Sequence, residues 1–213
     1  MKLLYCATLV AALALTGFIP VNFVKATEGL WYFPIENYRE QLTEKKFGQN
    51  IDANFYRGRE NLFPTKFLGL HAGDDLEIFP GEENKNVPVY ATTTGTVSFS
   101  GNVSGHGGVI LIDITGENLT ALYGHLELRS ALVKVGDRVS PGQLIAYLGR
   151  GFSSETSGER KHLHFAFHKG KNQYFRGHEP DQIALQQNWT DPQEALKNQK
   201  AIYIDEEMCA LTE

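Results

Sequence analysis

The segment His162–Leu163–His164–Phe165–Ala166–Phe167–His168 holds three of the chain's seven histidines. On a β-strand, side chains alternate faces with period two. The three imidazoles would then share one face, and Leu163, Phe165 and Phe167 the other. Residues two apart on a strand stand about 6.5–7 Å apart at Cα, so His162 and His164 can border one site although only one need coordinate. His168 lies a further four residues along, about 13 Å by strand rise, too far to join the same ion in a straight strand. Upstream, His71 and Asp75 are four apart across Gly73, and His125 follows an apolar run. Zinc accepts imidazole nitrogen and carboxylate oxygen, and a catalytic site keeps three protein ligands and one open position. Such an ion makes water a nucleophile near neutral pH and polarises a carbonyl, while a neighbouring imidazole takes up or returns a proton or steadies an oxyanion. Spacing four lets His71 and Asp75 converge on one ion, with Gly73 giving the backbone freedom to bend between them.

These residues need a rigid frame, and the pattern predicts a β one. From about Phe55 onward, short β-rich runs alternate with turn residues. The stretches 87–101, 107–126, 131–150 and 161–170 each read as strands bounded by Gly, Pro, Asn or Asp. The runs VILIDI and LTALYGHL flank the turn-rich tetrad TGEN (115–118), which predicts a hairpin. The expected fold is mostly β: an antiparallel sheet or sandwich, to which the family resemblance given below adds a compact domain with a substrate groove. Helical segments are expected near the end, at 180–189 and at 191–199, the second opening on Asp191-Pro192. Within 27–50, NYREQLTEKK is expected as a short, solvated helix.

The chain has 213 residues and a net charge of −5. Its length suits one domain with a real core plus extensions. The acidic balance argues against nucleic acid as partner, because phosphate binding needs a basic footprint. The first 26 residues carry Lys2, an apolar run from Leu3 to Ile19, Pro20 and then VKA, which reads as a secretory signal or N-terminal membrane anchor. Without them, one cysteine remains, Cys209. A single thiol makes no internal disulfide, so the fold must stand on its core or on a metal.

Three short motifs, taken together, carry a resemblance: HAGDD (71–75), YGHL (123–126) and HLHF (162–165). The chain resembles the lysostaphin/LytM-type zinc endopeptidases, which cut the peptide bridges of bacterial peptidoglycan. VKVGDRVSPGQLIAYLG (133–149) is close to that family's most recognisable stretch, and WTDPQEAL (189–196) looks like its usual end. The resemblance spans roughly residues 55–197. It divides the chain into an export segment or anchor (1–26), a lead-in (27–54), the peptidase domain (55–197) and a tail (198–213). It implies one zinc ion held by His71, Asp75 and His164, with His125 and His162 as unligated catalytic histidines. It also implies peptidoglycan peptides as substrate and a location in the periplasm, envelope or exterior. Tyr123, two before His125, and His106 in SGHGG are expected along the substrate groove.

The loop RGFSSETSGERK (150–161) departs from the family, whose members tend to have a shorter Gly/Ser/Thr loop ending in Gly-Pro. Arg160 and Lys161 stand at that end here. Two rival readings exist. The 133–149 stretch also resembles biotinyl and lipoyl carrier domains, but the lysine-tipped hairpin such carriers need is missing. Some members of the peptidase family have lost metal ligands and act as binding or hydrolase-activating proteins, whereas this chain keeps all three ligands and both histidines.

Overall fold

The computed structural model describes residues 29–36, 45–59 and 67–203. The segment expected as an export signal or anchor (1–26), Cys209 and residues 37–44 of the expected helix lie outside them. In chain order the strands are β1 (Asn50–Ile51), β2 (Gly69–His71), β3 (Asp74–Glu77), β4 (Pro88–Tyr90), β5 (Gly95–Val103), β6 (Gly107–Ile114), β7 (Leu119–Gly124), β8 (Arg138–Val139), β9 (Leu144–Tyr147), β10 (His162–Lys169) and β11 (His178–Glu179). Helix α1 (Gln182–Asn188), β12 (Trp189–Thr190) and α2 (Pro192–Asn198) complete the described order. The mostly β expectation holds, and the pairings between these strands are antiparallel.

The main sheet runs β12–β10–β7–β6–β5–β8, with β3 also paired to β10. Strands β6 and β7 form the hairpin expected around TGEN, pairing Asp113 with Thr120 at the turn end. Strand β10 has β7 along one edge. On its other edge β3 covers His162 to Phe165, and β12 covers Phe167 and His168. The helices begin where the sequence places them. The Asp181 carboxylate accepts from Ala184 N, and Asp191 accepts from Gln193 N and Glu194 N ahead of Pro192. Each cap satisfies backbone donors that the first helical turn leaves unpaired. Among the described residues, no helix is long and apolar enough to cross a membrane.

Alternation along β10 divides the molecule as expected. Leu163, Phe165 and Phe167 enter the larger core with Val97, Ile110, Ile112 and Tyr123. Fully burying such a side chain contributes about 1.5–3 kcal/mol. The opposite face meets a second core, in which Ala166 packs with Leu111, Leu122, Leu185 and Trp189. His168 lies on that face against Trp189 and Tyr174, with ring centroids 5.2 and 4.8 Å away. At the other end of the same face, His162 and His164 border an open groove.

Two described stretches of the lead-in pack on the domain. Trp31, Tyr32, Phe33 and Ile35 are buried, and Tyr32 bridges to Ile202 in parallel while Phe33 stacks on Tyr203. Lys45 is buried too, and Gly48 N and His71 N exchange hydrogen bonds with His71 O and Gln49 O. The apolar WYFPI run supplies the reason: its rings cover core that the strands alone leave open.

Candidate metal and catalytic site

Strand register assembles the site. Asp75 of β3 pairs with His164 of β10, which pairs on its other side with Gly124 of β7. His71 ends β2, and three residues later β3 begins. The link passes through Gly73 because a side chain cannot fit. A Cβ there would lie 2.5 Å from Phe165 O and 2.9 Å from Ala166 Cβ. Gly73 therefore serves by small size, and its φ lies outside the left-handed region that the flexibility argument would have called on.

His71, Asp75 and His164 converge, each buried, with their candidate ligand atoms within 4.8 Å of one another. Asp75 Oδ1 lies 2.9 Å from His164 Nδ1 and 3.3 Å from His71 Nε2. Ligand atoms on one tetrahedral zinc, at bonds of 2.0–2.1 Å, stand about 3.3 Å apart. These residues therefore fit a zinc ion, with nitrogen and oxygen donors of the kind that zinc prefers. Burial pushes the Asp75 carboxyl upward. The neighbouring His71 and His162, with the hydrogen bonds to His164 and His71, prevail and hold it well below the usual carboxylate range. It stands ionised, as a ligand must.

His125 and His162 flank this cluster, their ring centroids 4.2 Å apart. His162 Nδ1 donates to Arg160 O at 2.8 Å, which leaves Nε2 as the basic nitrogen of the neutral ring. Burial, aided by its neighbours His162 and His106, depresses His125 well below its ordinary range; burial and the Arg160 cation do the same for His162. Both rings are thus neutral at pH 7 and able to accept a proton. His125 adopts φ 65°, an unusual conformation for a residue with a side chain. That turn interrupts strand alternation just beyond β7 and explains Tyr123. Expected along the groove, Tyr123 instead faces the core, where its hydroxyl accepts from Thr92 N at 2.9 Å and meets Thr92 Oγ1 at 3.0 Å.

His106 does line the groove, its Nε2 donating to Phe175 O at 2.8 Å. Burial, with His164 nearby, pushes it down to about 3. Its segment is held by Gly107, whose φ is +63° and whose Cβ would fall 2.0 Å from Glu155 O. The groove encloses about 290 Å³. Sequence reasoning missed several of its walls. His178 pairs with His71 across β2 and β11, its ring 5.1 Å from that of His71 and stacked on Phe67. Lys45 and Glu159 also line the groove. Of these, only Glu159 carried a signal, as part of the loop that departs from the family pattern.

The antiparallel sheet thus carries a His–Asp–His cluster that could hold a metal ion, with two imidazoles beside it in a groove that could handle protons. The comparisons agree: the profile of peptidase family M23 matches residues 70–176. The chain belongs to peptidase family M23. The fold recurs in the catalytic domain of the antimicrobial peptidase lysostaphin from Staphylococcus simulans, at 23% identity and TM-score 0.51, covering 75% of this chain and 95% of that one. It recurs in LytU, at 24% identity and TM-score 0.51, covering 76% and 89%. A chain of the SpoIIIAH and SpoIIQ complex shares it as well, at 23% identity and TM-score 0.51, covering 78% and 99%. The search of curated proteins returned no match.

Proposed function

We propose that this protein is a zinc-dependent endopeptidase, exported to the cell envelope or beyond, that hydrolyses cross-links or stem peptides of bacterial peptidoglycan. One observation carries the reading: Asp75 Oδ1 lies 2.9 Å from His164 Nδ1 and 3.3 Å from His71 Nε2, near the spacing of ligands on one ion, while the rings of His125 and His162 stand together in the same groove. His71, Asp75 and His164 would hold the ion, one per chain. When bound, zinc supplies an activated water near neutral pH and polarises the scissile carbonyl. The neutral rings of His125 and His162 would accept that water's proton, steady the developing oxyanion and return a proton to the leaving amine. His162 is oriented for this by its bond to Arg160 O, which fixes the tautomer. The groove would seat an extended peptide, with His106 along its wall. The peptidase unit is read as residues 55–197, with residues 1–26 as the export signal or membrane anchor.

A second reading is a non-catalytic envelope protein that binds or activates other hydrolases. The fold it shares with a chain of the SpoIIIAH and SpoIIQ complex supports it. The complete ligand set and both histidines favour the enzyme.

The test is to measure zinc in the purified protein and incubate it with peptidoglycan and with short Gly-rich or D-Ala-containing peptides. About one zinc per chain and release of new amino groups are expected. A zinc-loaded protein that cuts none of them would leave the binding reading in place.

A further inference from the structure

Arg160 lies two residues before His162, in the loop that departs from the family pattern. Its guanidinium is buried among three carboxylates. Nε donates to both Glu77 oxygens at 2.9 Å, and Nη2 also bonds Glu77. Nη2 reaches Asp75 Oδ2 at 3.3 Å, and Nη1 lies 3.5 Å from Glu159 Oε2. Asp75 and Glu77 are two apart on β3 and share the face that meets His164 and His162. One planar fork thus spans two carboxylates of one strand face, which a lysine's single ammonium cannot do.

The two oxygens of Asp75 are therefore divided. Oδ1 faces His164 and His71. Oδ2 faces Arg160 at 3.3 Å, His162 Nε2 at 3.5 Å and Lys45 Nζ at 3.8 Å. Lys45 neutralises charge from farther off, while the guanidinium bond has direction. We propose that Arg160 is a positioning residue for the metal centre: it holds Asp75 by Oδ2 so that Oδ1 is the oxygen offered between His71 and His164. The inference rests on the zinc-site reading above. Its physical basis is that a carboxylate tethered at one oxygen keeps one orientation, whereas a loose one can offer either oxygen or both. Partners that hold a metal ligand in place typically contribute ten- to a hundredfold in metal affinity.

The experiment measures zinc affinity by chelator competition for wild type, Arg160→Met and Arg160→Lys, with the visible spectrum of each protein loaded with cobalt(II). Arg160→Met is expected to bind zinc about ten- to a hundredfold more weakly, with an altered cobalt spectrum. Arg160→Lys should fall between the two, because it restores charge but not the fork. A folded Arg160→Met protein with wild-type affinity and spectrum overturns the inference and leaves the zinc site standing. Wild-type protein that takes up no zinc overturns the zinc-site reading itself, a distinct result. Should Arg160→Met fail to fold, Glu77→Gln, which loosens the guanidinium from its main anchor, is read the same way: weaker zinc binding supports the role, and unchanged binding with an unchanged spectrum removes it.

Discussion

Asp75 and His164 are register partners across the β3–β10 ladder, and their side chains meet at 2.9 Å between Oδ1 and Nδ1. Two adjacent strands thus deliver two of the three proposed ligands with no loop to order, and His71 needs only the short link through Gly73. His164→Ala should therefore lose the metal while keeping the sheet. Zinc content by elemental analysis is expected to fall from about one per chain to near none. Full retention of zinc would remove His164 from the ligand set.

His125 and His162 touch one another and flank the cluster. Alanine at either position should keep zinc and reduce kcat on a peptide substrate by about 100-fold or more, the usual contribution of a positioned acid or base. Unimpaired turnover in both variants would mean that neither ring handles the proton.

Gly73 admits no side chain, since a Cβ would press on Phe165 O and Ala166 Cβ. Gly73→Ala is expected to cost about 1–3 kcal/mol in denaturant unfolding, the usual penalty of overpacking. It should also weaken zinc binding, because the strand it displaces carries Asp75. A variant as stable as wild type would show that this link yields freely.

Burial drives His106 down to about 3 and His178 to about 2, from an ordinary value of 6.5. Both folded values lie below the unfolded one, so the unfolded chain binds more protons once the pH drops below 6.5. Stability of the metal-free protein must then fall as the pH is lowered through that value. At pH 5.5 each ring kept neutral costs about 1.4 kcal/mol. Urea midpoints of chelator-treated protein at pH 7.5 and 5.5 should differ accordingly, and equal midpoints would show that these rings protonate within the fold.

Tyr123 supplies a control. Its hydroxyl is buried against Thr92, and burial pushes it up to about 12. Tyr123→Phe should cost about 1–3 kcal/mol by leaving Thr92 N without an acceptor, with kcat/KM unchanged. A fall in kcat/KM at unchanged stability would return Tyr123 to the groove.

Local chemistry determined much of this in the sequence itself. Period-two alternation sorted His162, His164 and His168 from Leu163, Phe165 and Phe167. The 13 Å between His164 and His168 took the latter out of the site, and His168 indeed packs on Trp189. Turn residues located the β6–β7 hairpin, and Asp191-Pro192 located a helix start. The three motifs together identified the family. Tertiary structure alone added Lys45, Glu159 and His178 to the groove and turned Tyr123 away from it. Tyr123 and His125 are two apart and would share a strand face, but the positive φ of His125 separates them, and nothing in YGHL announces that turn. Lys45 and Arg160 reach Asp75 from 30 residues upstream and 85 downstream in the chain. Alternation constrains a side chain only relative to its own strand, whereas a buried charge is placed by whichever opposite charges the packed sheet brings within reach.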